Sequence, residues 1–67
     1  MMTFESVSAF VEQRIKYASR NPQYAQTFES QAFGAVDFAC QNADPELQNK
    51  LSNAWDEWRT IFEQMYK

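Results

Sequence analysis

The chain has 67 residues, of which 45% are hydrophobic and 16% aromatic, and its nine acidic and six basic side chains give a formal net charge of -3. This length predicts a single domain, 1–67, and a domain so small buries only about 60% of the surface that its unfolded chain exposes. The single cysteine and the absence of histidine exclude an internal disulfide and the usual ligand set of a structural zinc ion.

The first predicted helix covers residues 3–20, with Thr3 as its N-cap. Apolar residues recur there every three or four positions, which places them on one helical face: Phe4, Val7, Val11, Ile15 and Ala18. Arg14 interrupts this apolar side. It either pairs with a carboxylate, from Asp37 or the third helix, or presents its guanidinium to an acidic group of another chain.

The second predicted helix covers residues 22–42, with Asn21 as N-cap and Pro22 in the first helical position. Apolar side chains cover more than half of its circumference, which is typical of a central helix covered by two neighbours. Phe33 lies at the edge of this surface, where two neighbours cover it least. Gly34 lies on the polar side, where it is either tolerated, approached by a neighbouring side chain, or part of a flat strip for docking.

The third predicted helix covers residues 45–66, with Asp44 as N-cap and Pro45 in the first position. Its spacing predicts a core stripe with Trp58 at the centre: Leu47, Leu51, Ala54, Trp58, Ile61 and Met65. The connections between the helices are short, so consecutive helices are expected to be antiparallel. The sequence therefore predicts an all-α, up-down-up three-helix bundle.

Three aromatic residues project to one flank of the third helix: Trp55, Phe62 and Tyr66. Aromatic side chains in such positions either wrap the edge of a core or anchor a partner. We predict that these three residues contact a protein partner, with Phe33 and Arg14 as outer candidates.

Catalytic and metal-binding patterns are not found in the sequence. Cys40 lies near the end of the second helix, and no histidine is present to act as its base, whereas nucleophilic thiols normally need such a base or a helix N-terminus. No glycine-rich phosphate loop or metal-ligand spacing is present either. We therefore expect no enzyme activity, no cofactor and no metal.

The functional expectation is a small cytoplasmic module for protein–protein contact, either a homodimer or an accessory or regulatory subunit. The first ten residues lack the basic start and apolar run of a signal peptide. The alternative is a nucleic-acid-associated regulator, acting directly or through a partner protein. Because the basic residues are scattered and the third helix is acidic, neither direct nucleic-acid binding nor membrane binding is expected.

Overall fold

The computed structural model describes residues 3–67, and within that range it contains three α-helices and no strand. Helix α1 covers Phe4–Arg20, α2 covers Ala25–Gln41 and α3 covers Pro45–Tyr66. Each helix packs against the other two. The predicted three-helix bundle is confirmed.

The N-termini of α1 and α3 are fixed by side-chain caps. The hydroxyl of Thr3 accepts a hydrogen bond from the Ser6 amide at 3.1 Å, and the Ser6 hydroxyl accepts one from the Thr3 amide at 3.1 Å. The carboxylate of Asp44 accepts a hydrogen bond from the Leu47 amide at 2.9 Å. These bonds satisfy amide groups that have no partner within the helix. Both predicted caps are confirmed.

The start of α2 differs from the prediction of a helix over 22–42. Pro22–Tyr24 forms a 3₁₀ turn, and the α-helix begins only at Ala25. The side chain of Asn21 makes no capping bond to this turn; its amide donates instead to the Tyr17 carbonyl, at 3.3 Å. Asn21 therefore closes α1 with its side chain; it occupies the predicted position before Pro22, but at the start of a 3₁₀ turn and without the expected capping bond.

The core combines small side chains from α2 with larger ones from α3. Helix α2 contributes only alanine and valine to the fully buried set, so its axis can approach both neighbours closely. Trp58 is 8% exposed, and its ring stacks on Phe4 with the centroids 6.1 Å apart. Its predicted place in the core is confirmed. The buried residues are Val7, Val11, Ala18, Ala25, Ala32, Val36, Ala39, Leu51, Trp58 and Phe62.

The buried face of α3 is rotated relative to the predicted stripe. Phe62 is 0% exposed, whereas Ile61, expected in the core, is 39% exposed. The centre of burial lies among Leu51, Trp58 and Phe62, about 40° further round the helix at 100° per residue. Because α2 supplies small side chains, α3 turns its aromatic flank inward to fill the core. The prediction of Phe62 as a partner-contact residue is therefore wrong.

Candidate partner-binding site

A surface groove of about 540 Å³ lies between α2 and α3. It contains three of the five predicted contact residues, Phe33, Trp55 and Tyr66, together with polar and charged groups from both helices. We call it the α2–α3 groove. Its lining residues are Gln26, Glu29, Ser30, Phe33, Trp55, Arg59 and Tyr66.

The centre of the groove is an aromatic pair formed across the two helices. The ring centroids of Phe33 and Trp55 lie 5.4 Å apart, with the planes inclined at 53°. Trp55 is half-buried and packs against the core, while Phe33 leaves 50% of its surface exposed. An aromatic side chain already ordered by a neighbour loses little conformational entropy when a partner covers it. The pair is therefore suited to binding.

One end of the groove is closed by a hydrogen bond between α3 and α2. The phenol of Tyr66 donates to Glu29 Oε1 at 2.5 Å. This bond, reinforced by burial and by the negative charge of Glu29, raises the pKa of Tyr66 to about 12. At neutral pH the phenol thus keeps its proton and holds the last turn of α3 against α2.

Arg59 brings a positive charge to the groove. Its side chain is exposed, and the one ion pair formed between residues 3 and 67 is Lys67 with Glu63, so Arg59 has no carboxylate partner there. Tryptophan, tyrosine and arginine are the residue types most enriched among the energetically important positions of protein interfaces. The α2–α3 groove contains one of each.

Arg14 does not reach this groove. Its Nη1 donates to Gln31 Oε1 at 3.3 Å, and Gln31 lies about 160° around α2 from Phe33, at 100° per residue. The Arg14 guanidinium carbon lies 4.6 Å from the Phe10 ring centroid and 5.5 Å from that of Tyr17. The structure therefore separates Arg14 from the other predicted contact residues.

Of the two interpretations of Arg14, the one in which it pairs with a carboxylate of the same chain is wrong. No carboxylate in the described part of the chain lies within ion-pair distance of it. Asp37 faces another side of α2, where it accepts a hydrogen bond from Gln41 Nε2 at 3.2 Å. The charge of Arg14 is met by aromatic rings and by neutral amides of Gln13 and Gln31 instead.

Four lining residues of the groove were missed by sequence reasoning, and two of them, Glu29 and Arg59, are charged. Each lies four positions from a predicted contact residue, Glu29 before Phe33 and Arg59 after Trp55. Residues four apart share a helical face. That spacing could have identified both.

Gly34 is not required by packing within the described chain. Beyond the adjacent residues and the backbone of its own helix, no atom of the described chain lies within 4 Å of the position that a Cβ atom there would occupy. The interpretation that a neighbouring side chain approaches it closely is therefore wrong. Tolerance of the glycine, or approach by another molecule, remains.

Residues 3–67 carry neither a cluster of metal ligands nor a membrane-spanning helix. No group of three or more Cys, Asp or Glu side chains in that range is placed to hold a metal ion. Over the same residues no helix is long and apolar enough to cross a membrane. Cys40 is half-buried and packs against the core.

Comparison of the chain with protein-family models, with curated proteins and with solved structures gave no match. The function must therefore be argued from the residues themselves. The α2–α3 groove is the feature that gathers most of the predicted contact residues.

Proposed function

We propose that the chain is a small protein–protein interaction module that binds its partner through the α2–α3 groove. The observation that supports this most is Phe33, which is 50% exposed while its ring is held against Trp55. A partner that covers this ring removes apolar surface from water at little ordering cost. Arg59 at the rim would help to orient the partner, because charges at an interface favour a particular orientation of the partner.

The first candidate for the partner is a second copy of the chain. In a symmetric dimer the same surface meets itself, so the surface has to be self-complementary. The α2–α3 groove carries both a cation, Arg59, and an anion, Glu29, beside its aromatic pair. Dimerisation would also add burial to a domain too short to bury much alone. An accessory role on a different protein is the other form of the same proposal.

Two properties complete the proposal. The module acts without catalysis, because histidine, the commonest acid–base group near neutral pH, is absent from the sequence. It works in the cytoplasm, where a single unpaired thiol such as Cys40 stays reduced.

The test combines light scattering with affinity purification from the source cell. Phe33→Ser and Arg59→Ser each change an exposed residue of the groove, and Ile61→Ser changes an exposed apolar residue outside it. We expect the first two variants to lose either the dimer or one specific co-purified protein, and Ile61→Ser to keep it. A wild type that is monomeric at high concentration and purifies alone would contradict the proposal. Retention on heparin that falls steeply with salt would favour nucleic-acid association instead.

A further inference from the structure

A second groove lies on the other side of α2, between α2 and α1. Its volume is about 320 Å³, and its lining is Ser6, Val7, Phe10 and Ala35. None of these side chains is charged. Phe38 follows Ala35 by three residues on the same face of α2 and is 57% exposed. We call this surface, with Phe38 and Arg14 at its edges, the α1–α2 groove.

Arg14 is the charged residue at this groove. Its guanidinium lies against Phe10, and its polar contacts in the described chain are the neutral amides of Gln13 and Gln31. Its Nε atom is buried and has no hydrogen-bond partner there. Guanidinium groups at apolar surfaces normally pair with carboxylates through two parallel hydrogen bonds. Arg14 thus has no acidic partner in the described chain, and a carboxylate would match its charge.

The other charged residues of α1 do not disturb this site. Glu5, Glu12 and Lys16 lie about 160° to 180° from Arg14 around the helix, and Arg20 lies about 120° from it at the last residue of α1, at 100° per residue. The groove thus presents apolar surface with one positive charge at its edge. A matching occupant has apolar side chains and one negative charge.

We propose that the α1–α2 groove binds an acidic amphipathic helix of a protein partner. Two antiparallel helices form a channel into which a third helix packs its apolar ridge, a common mode of peptide recognition. Apolar side chains of the bound helix would cover Phe10, Ala35 and Phe38, and a carboxylate would pair with Arg14. This surface shares no lining residue with the α2–α3 groove, so the two proposals fail separately.

The experiment selects ligands from a displayed library of random 17-residue peptides, the length of α1, on the immobilised full chain. We expect the enriched peptides to have apolar residues at helical spacing and an Asp or Glu beside them. Affinities measured by fluorescence anisotropy should fall at least about tenfold in Arg14→Gln and in Phe38→Ser. Phe33→Ser, an equally exposed phenylalanine in the other groove, should leave them unchanged. Circular dichroism confirms that each variant is folded.

A charge exchange tests the pairing independently of folding. The Arg14→Glu variant should no longer bind the acidic peptide. It should instead bind the same peptide with lysine in place of its acidic residue. Four results would overturn the proposal: no enriched peptide, enriched peptides without acids, equal binding by wild type and Arg14→Gln, or loss of binding in Phe33→Ser. Self-association that Arg14→Gln abolishes would assign the groove to a second copy and also overturn it.

Discussion

The two grooves beside α2 differ in how their side chains are satisfied. In the α2–α3 groove the polar end is closed internally, since Tyr66 bonds to Glu29, and the exposed element is the ring of Phe33 held by Trp55. In the α1–α2 groove the polar element, Arg14, has no carboxylate partner in the described chain. The first groove therefore offers an ordered aromatic pair beside the exposed Arg59, and the second offers Arg14, whose charge lies against aromatic rings and neutral amides.

The largest difference in stability is expected between a residue of the core beneath the α2–α3 groove and a residue on the exposed surface of that groove. Phe62→Ala should open a cavity in the core and cost about 3–5 kcal/mol of unfolding free energy. Phe33→Ala, a substitution of the same type at a half-exposed position, should cost less than about 1 kcal/mol. Urea denaturation of both variants measures the difference. Similar losses would show that Phe33 serves the fold and would remove the distinction.

Trp55 lies between these extremes, because it packs against the core and supports Phe33. Trp55→Ala should cost about 1–3 kcal/mol of stability and should also reduce self-association or partner binding. Denaturation and light scattering on the same samples test both effects. A stability loss as large as that of Phe62→Ala, with binding retained, would show that the indole belongs wholly to the core.

Substitution of Gly34 tests whether a partner contacts the outer surface of α2 beside the grooves. Since a Cβ atom there would meet no atom within 4 Å beyond the adjacent residues and the backbone of its own helix, Gly34→Ala should stabilise the helix by up to about 1 kcal/mol. The melting temperature should rise by about 4–8 °C for each kcal/mol gained. Thr27→Ala, at an exposed position on α2 that lines neither groove, is the control for helix propensity alone. Stabilisation accompanied by lost binding would show that a partner approaches the backbone at Gly34.

The smallest effect is expected at the closed end of the α2–α3 groove. The pKa of Tyr66 is raised to about 12 by its hydrogen bond to Glu29, above the usual value of about 10 for an unfolded tyrosine. The protonated phenol therefore stabilises the fold fully below pH 10, and this contribution disappears as the pH rises through about 12.

Ultraviolet absorbance of the tyrosinate measures this titration. Tyr66→Phe should remove the transition of highest pKa, and Glu29→Gln should move it towards the usual value. An unchanged titration in Glu29→Gln would show that the carboxylate does not hold the phenol.

Local signals predicted the ends of α1 and α3 well. Thr3 and Asp44 cap their helices because a cap depends on side chains within three residues. Asn21 misled the prediction because two helix ends compete for it, and the carbonyl of Tyr17 is the group it satisfies.

The candidate site could be predicted only in part. The helical wheel of α3 gave its aromatic flank, but the rotation that buries Phe62 and exposes Ile61 depends on the small side chains of α2. Spacing along one helix also gave no sign that Phe33 would meet Trp55, because that contact is made between helices. For the same reason, Arg14 was grouped with residues from which α2 separates it.

Photocrosslinking at position 33 tests whether the α2–α3 groove contacts a protein partner. Photoreactive benzoylphenylalanine replaces Phe33 in one sample and Ile61 in a matched sample, and both are irradiated in the source cell. We expect one discrete covalent product at position 33, with a second copy or with one other protein, and no such product at position 61. No product at position 33, or the same products at both positions, would contradict it.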